Sequence, residues 1–193
     1  GKYDEAISIY NAFLKEGQQA SYWVLKGQVE LKRDNFKAAI QNFNEAIKLN
    51  ENDSKTIHAI ANAYLQTDDL DKALEHYTKA IEMESLPAYY NDRGNLRLLQ
   101  KEYREAIKDY EQAIKLDPRN YQAYSNKGKA HFELQEYKIA GNSFGKALEI
   151  NANYSPARIN LAANKNFQKD FTGALDECSK VIEAEPKNSI AYL

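Results

Sequence analysis

The chain has 193 residues, of which 43% are hydrophobic and 28% charged, ample apolar content for a packed core. Acids and bases nearly balance at a formal charge of −2. That argues against a general nucleic-acid binder, which needs a basic excess to displace phosphate counterions. No run of about 18 apolar residues occurs, so no membrane span is expected, and no signal peptide is visible. The single cysteine, Cys178, excludes an internal disulfide and a cysteine-rich metal site, and it favours a reducing compartment such as the cytoplasm. Few glycines and prolines, with no long apolar/polar alternation, point to helices.

In chain order, residues 1–19 carry Tyr3, Ala6 and Tyr10, a pattern that returns further on as the second half of a unit. Whole units follow over 20–53, 54–86, 87–120, 121–154 and 155–188, and 189–193 hold only the start of another, at Tyr192. The repeat shows in the alanines Ala39, Ala73, Ala106, Ala140 and Ala174, spaced 34, 33, 34 and 34 apart. Four residues after each stand Phe43, Tyr77, Tyr110, Phe144 and Cys178. Upstream, a small residue recurs at Gly27, Ala61, Gly94, Gly128 and Ala162. Each unit reads as two helices. In the fourth they are expected near 122–134 and 138–150, with a polar turn at Gln135 and Glu136. Tyr137, Ala140, Phe144 and Ala147 then share one helical face. Asp117-Pro118 and Glu185-Pro186 close two of the second helices. Gly128, between Lys127 and Lys129, falls inside a helix, so it serves close helix packing and is not part of a phosphate-cradling loop.

These residues, in this order, resemble the tetratricopeptide repeat, W-x2-L-G-x2-Y…A-x3-F…P, across essentially the whole chain. The resemblance implies an all-α, right-handed solenoid of antiparallel helix pairs forming a single array. The first junction and "MESLPAYY" at 83–90 are each one residue short of the pattern. The lone second helix at the start and the apolar stub at 189–193 suggest a piece of a longer array, whose uncapped ends would allow end-to-end self-association.

Chemistry is sparse. His58, His76 and His131 fall in different registers, and none pairs at helical metal-ligand spacing, so neither a metal, a cofactor nor a catalytic role is expected. Cys178 stands where sibling repeats carry rings and is expected to be a buried small hydrophobe. Most of the tyrosines fall on ring positions and are expected to be core. Arg93 and Arg97 are expected to pack their stems and pair with acids.

The family resemblance further implies a concave groove lined by the first helices. On this chain it assigns to that groove Lys55, His58, Asn62, Asn91, Asn95, Asn126, Lys129, Phe132 and Asn160. The lining is polar, nearly uncharged and rich in asparagine, whose amide both donates to and accepts from an extended peptide backbone. The chaperone-tail clamp of the family is excluded: Asn95 and Asn126 fit it, but Asn91, Pro156 and Asn160 stand where its cations belong. The groove looks more like that of the repeat region of O-GlcNAc transferase, with Asp92 interrupting the ladder. The implied function is a non-catalytic scaffold for a protein or peptide segment. The alternative is the targeting or regulatory part of a larger enzyme or signalling protein.

Overall fold

The computed structural model describes residues 1–186. The stub expected at 189–193 and the end of the fifth repeat lie outside the described residues. The chain divides into two compact units, Gly1–Tyr89 and the part from Tyr90 onward. The first contains α1 (Lys2–Glu16), α2 (Ala20–Leu31), α3 (Phe36–Leu49), α4 (Ser54–Gln66) and α5 (Leu70–Met83). The boundary falls within α6 (Pro87–Leu99). The second unit goes on through α7 (Tyr103–Leu116), α8 (Tyr121–Glu133), α9 (Tyr137–Ile150), α10 (Ser155–Phe167) and α11 (Phe171–Ala184). All regular structure among the described residues is helical.

Local chemistry sets the helix starts. Asp53, Asp69, Asn120 and Asp170 each accept a hydrogen bond from a first-turn backbone N–H, as N-caps do. The cap at Asn120 starts α8 at Tyr121, one residue before the expected position. The turns inside the pairs follow one rule that the sequence hides. Asp34, Asp68, Lys101, Gln135 and Lys169 all adopt left-handed backbone, with φ of 57–64°, and none is glycine. The next residue's N–H bonds back to the carbonyl five residues earlier, as from Asn35 to Glu30 at 2.9 Å and from Glu136 to His131 at 2.9 Å. Each first helix therefore ends in the same reversal.

Packing within a pair is a ring laid against a small residue. A Cβ added to Gly27 would meet the Phe43 ring at 2.5 Å, one on Gly94 the Tyr110 ring at 2.7 Å, and one on Gly128 the Phe144 ring at 2.6 Å. Glycine in a helix costs about 1 kcal/mol against alanine, and here it admits a ring whose full burial contributes about 1.5–3 kcal/mol. Phe43, Tyr77, Tyr110 and Phe144 are all buried. Cys178 departs from the expectation and is only half-buried. Within the units a following first helix packs over the second, as α4 does with α3 through Ile60 and Ala63 and α8 with α7 through Ala130, whereas no described helix follows α11.

Charged residues lock two of the pairs. Asp109 of α7 is buried and receives Arg93 Nε at 3.0 Å, Arg93 Nη2 at 2.7 Å and Arg97 Nη1 at 2.6 Å. At the same register in α11, buried Glu177 takes Arg158 at 2.8 Å and Lys165 at 2.9 Å. Burial pushes the Glu177 carboxyl up, and the hydrogen bonds from Lys165 and Arg158 outweigh it, holding the group below the ordinary glutamate range. The paired role expected for Arg93 and Arg97 is thus what they have. His131 is buried with its Nδ1 2.6 Å from Glu136 Oε2. One polar residue stands apart: Asn164 of α10 is 1% exposed and neither its Nδ2 nor its Oδ1 has a partner.

Candidate functional site

In the first unit, Lys55, His58 and Asn62 lie along α4. Lys55 is exposed. His58 is half-buried, stacked on the Tyr89 ring at 4.4 Å between centroids and tilted against Tyr77 at 5.4 Å. Asn62 Oδ1 accepts the Tyr77 hydroxyl at 2.5 Å, while its Nδ2 lies 3.5 Å from His58 Nδ1. The histidine is a packed aromatic wall, and among the described residues no group of His, Cys, Asp or Glu is arranged to hold a metal.

In the second unit, α6, α8 and α10 supply the remaining residues. Asn91 and Asn95 are one turn apart on α6, and Asn126 reaches both from α8. Its Nδ2 donates to Asn95 Oδ1 at 2.9 Å and to Asn91 Oδ1 at 3.3 Å. Asn95 Oδ1 also accepts the Tyr110 hydroxyl at 2.9 Å, and so receives two donors. Asn91 Nδ2, Asn95 Nδ2 and Asn126 Oδ1 have no partner among the described residues. The amides thus brace one another and still present donors and an acceptor. Tyr110, fully buried as a ring, has its phenol pushed up by burial first and by the Asp109 and Asp92 charges next, so it stays a proton donor.

Beside these amides an open cleft of about 590 Å³ is lined by Asn95, Leu98, Leu99, Lys101, Tyr103, Asn126, Lys129 and Glu133. A smaller hollow of about 90 Å³ adjoins it through Lys129 and Glu133 and is closed by Phe132, Phe144, Asn160 and Ala163. Phe132 belongs to a three-ring cluster with Tyr137 at 5.5 Å and Phe167 at 5.1 Å, and Phe167 is 59% exposed. Lys129 is exposed and Asn160 half-buried, each without a hydrogen bond or ion pair among the described residues. The structure therefore joins Asn91, Asn95 and Asn126 by direct contact and sets Lys129, Phe132 and Asn160 around the adjoining hollow. Sequence reasoning missed Tyr77 and Tyr110, treating them only as core rings. The signal available was that, among the five full repeats, tyrosine stands at the ring position only in the two with asparagine directly after the small packing residue, Asn62 and Asn95.

Family models described as tetratricopeptide repeat match residues 1–54, 54–85 and 121–154, and one described as TPR repeat matches 94–135. The chain belongs to the tetratricopeptide repeat family. Among curated tetratricopeptide relatives, human DnaJ homolog subfamily C member 7 is 29% identical over 134 residues, 69% of this chain and 26% of that protein. Hsp70-Hsp90 organizing protein 3 of Arabidopsis thaliana is 24% identical over 200 residues, 97% of this chain and 35% of that protein. The chain thus spans about a third or less of these relatives. Of the solved structures, YrrB, described as a TPR protein with an unusual peptide-binding site, superposes with a TM-score of 0.73 at 14% identity, over 95% of each chain. That likeness fixes the fold alone.

Proposed function

We propose that this tetratricopeptide chain is a non-catalytic interaction scaffold whose second unit binds an extended peptide segment along α6, α8 and α10. The observation that carries this reading is the set of unpartnered amide atoms on the braced Asn91, Asn95 and Asn126, of which Asn95 and Asn126 line an open cleft whose charges are Lys101, Lys129 and Glu133. Such atoms match the alternating carbonyls and N–H groups of a main chain without asking for particular side chains. The adjoining hollow of about 90 Å³ suits one aliphatic side chain. The roles named for relatives support the same reading, since one is an Hsp70-Hsp90 organizing protein and the fold neighbour YrrB carries a peptide-binding site. The near-zero charge balance favours a protein partner over nucleic acid.

The test is Asn95→Ala combined with Asn126→Ala, assayed against peptides selected on the wild-type chain from a random-peptide display library. The expected result is loss of binding with helical content intact by circular dichroism. Unchanged binding by a folded double variant removes the groove. A second reading is that this array is the recognition part of a larger enzyme or signalling protein, favoured by the small share it spans of the relatives. The sequence flanking this stretch in its gene decides between them.

A further inference from the structure

Two places in each repeat vary together. One is the residue after the small helix-packing position, the other the ring at the centre of the second helix. The repeats with tyrosine at the second place, Tyr77 and Tyr110, carry asparagine at the first, Asn62 and Asn95. Those with Phe43 and Phe144 carry Gln28 and Lys129, and the one with Cys178 carries Ala163. Among the five full repeats the hydroxyl occurs only where an amide is present to receive it, and in both cases it donates to the amide oxygen, at 2.5 Å to Asn62 and 2.9 Å to Asn95.

From this we infer that Tyr110 is a positioning residue: its hydroxyl holds the Asn95 amide with oxygen inward and nitrogen outward, so the cleft takes a main-chain carbonyl of an extended peptide at that point. The inference rests on the groove reading above. With the Asn126 amide turned as it is, its Nδ2 towards α6, the chemistry leaves the Asn95 amide one orientation. Its oxygen accepts from both the Tyr110 hydroxyl and Asn126 Nδ2. Rotating the amide would set its NH2 against the NH2 of Asn126, two donors facing each other. The outward Nδ2 is left without a partner and lines the cleft, where only an acceptor satisfies it. The neutral phenol, closed into the core, cannot be displaced by solvent from this duty. A main-chain carbonyl is the acceptor that suits the neighbouring Asn126 Oδ1, which calls for a peptide N–H beside it.

The first test needs no ligand. In Tyr110→Phe, the side-chain amide of Asn95, followed by ¹⁵N relaxation, is expected to gain motion while backbone order and helical content hold. An Asn95 amide as ordered as in the wild type overturns the positioning role. The second uses a display-selected peptide. Tyr110→Phe is expected to weaken it about tenfold, and to add nothing when Asn95 is already alanine. Additive losses, or none, overturn the inference. Replacing peptide carbonyl oxygens by sulfur one at a time should find a single position that matters on the wild type and not on Asn95→Ala. Affinity that instead follows a peptide carboxylate overturns the main-chain assignment. If no peptide is selected on the wild type, the groove reading and the carbonyl assignment fall together, and the relaxation experiment alone still decides what Tyr110 does to Asn95.

Discussion

Asn164 allows a quantitative test of the packing between α9 and α10. Two sibling repeats fill the equivalent junction with an apolar pair, Ile40 with Ala63 and Ile107 with Ala130. In the fourth-to-fifth junction the sizes are exchanged, and Gly141 stands where the isoleucine would be, with Asn164 in place of the alanine. A Cβ on Gly141 would lie 3.0 Å from Asn164 Nδ2, so the asparagine occupies the room the glycine leaves. Its amide is buried and unpaired at both ends, which destabilises by about 1–3 kcal/mol. Gly141→Ile with Asn164→Ala rebuilds the sibling pair, removing that penalty and burying an isoleucine worth about 1.5–3 kcal/mol. After subtracting the asparagine's own lost contacts, a net gain of about 2–4 kcal/mol is expected. Gly141→Ile alone drives a branched side chain into the amide and should destabilise by about 1–3 kcal/mol. The signature is therefore strong non-additivity across the cycle. Because repeat arrays unfold with limited cooperativity, the measurement is amide hydrogen exchange in α9 and α10. There a gain of about 2 kcal/mol slows exchange about thirtyfold. An additive cycle, or a double variant that exchanges as fast as the wild type, refutes the reasoning.

Further expectations are equally concrete. Lys169 sits at φ 64°, and Lys169→Gly should stabilise the α10–α11 pair by up to about 1 kcal/mol, seen as slower exchange there; a loss of stability would show that its backbone is unstrained. Glu177 has a depressed pKa, so its stabilisation is fully present above the ordinary glutamate value and lost as pH falls through the lowered one. Glu177→Gln should be less stable near neutral pH and flatten that acid-side decline in α10 and α11, and an unchanged decline would remove the carboxylate from the account. The Asn95→Ala/Asn126→Ala and Tyr110→Phe variants carry the expectations stated for the groove.

Much of the fold was legible because helix packing here depends on size at fixed spacing. Gly27, Gly94 and Gly128 recur with Phe43, Tyr110 and Phe144 sixteen residues later, and each glycine touches that ring. The left-handed turn residues were not legible. Asp34, Asp68, Lys101, Gln135 and Lys169 share a backbone conformation and no side-chain chemistry, because the geometry is imposed by the backbone bond closing each turn. Cys178 misled as well: it shares the register of the buried sibling rings and is only half-buried, so register alone does not fix burial.

The site was legible only in part, and distance along the chain explains where the reading stopped. Asparagine at the inner register could be seen, but its orientation depends on bonds of two kinds. The Tyr77–Asn62 and Tyr110–Asn95 bonds both span 15 residues inside one repeat, so they leave a trace as paired substitutions within the sequence. The bonds from Asn126 span 31 and 35 residues between neighbouring repeats and leave no such trace, since Asn91, Asn95 and Asn126 do not recur together elsewhere in the chain. A repeat protein thus shows in its sequence whatever each repeat does alone. What adjacent repeats build jointly is legible only when the same partnership is built twice. In this chain the asparagine brace is built once, so its donors and acceptors came from the structure, while the tyrosine that aims Asn95 was already written beside it.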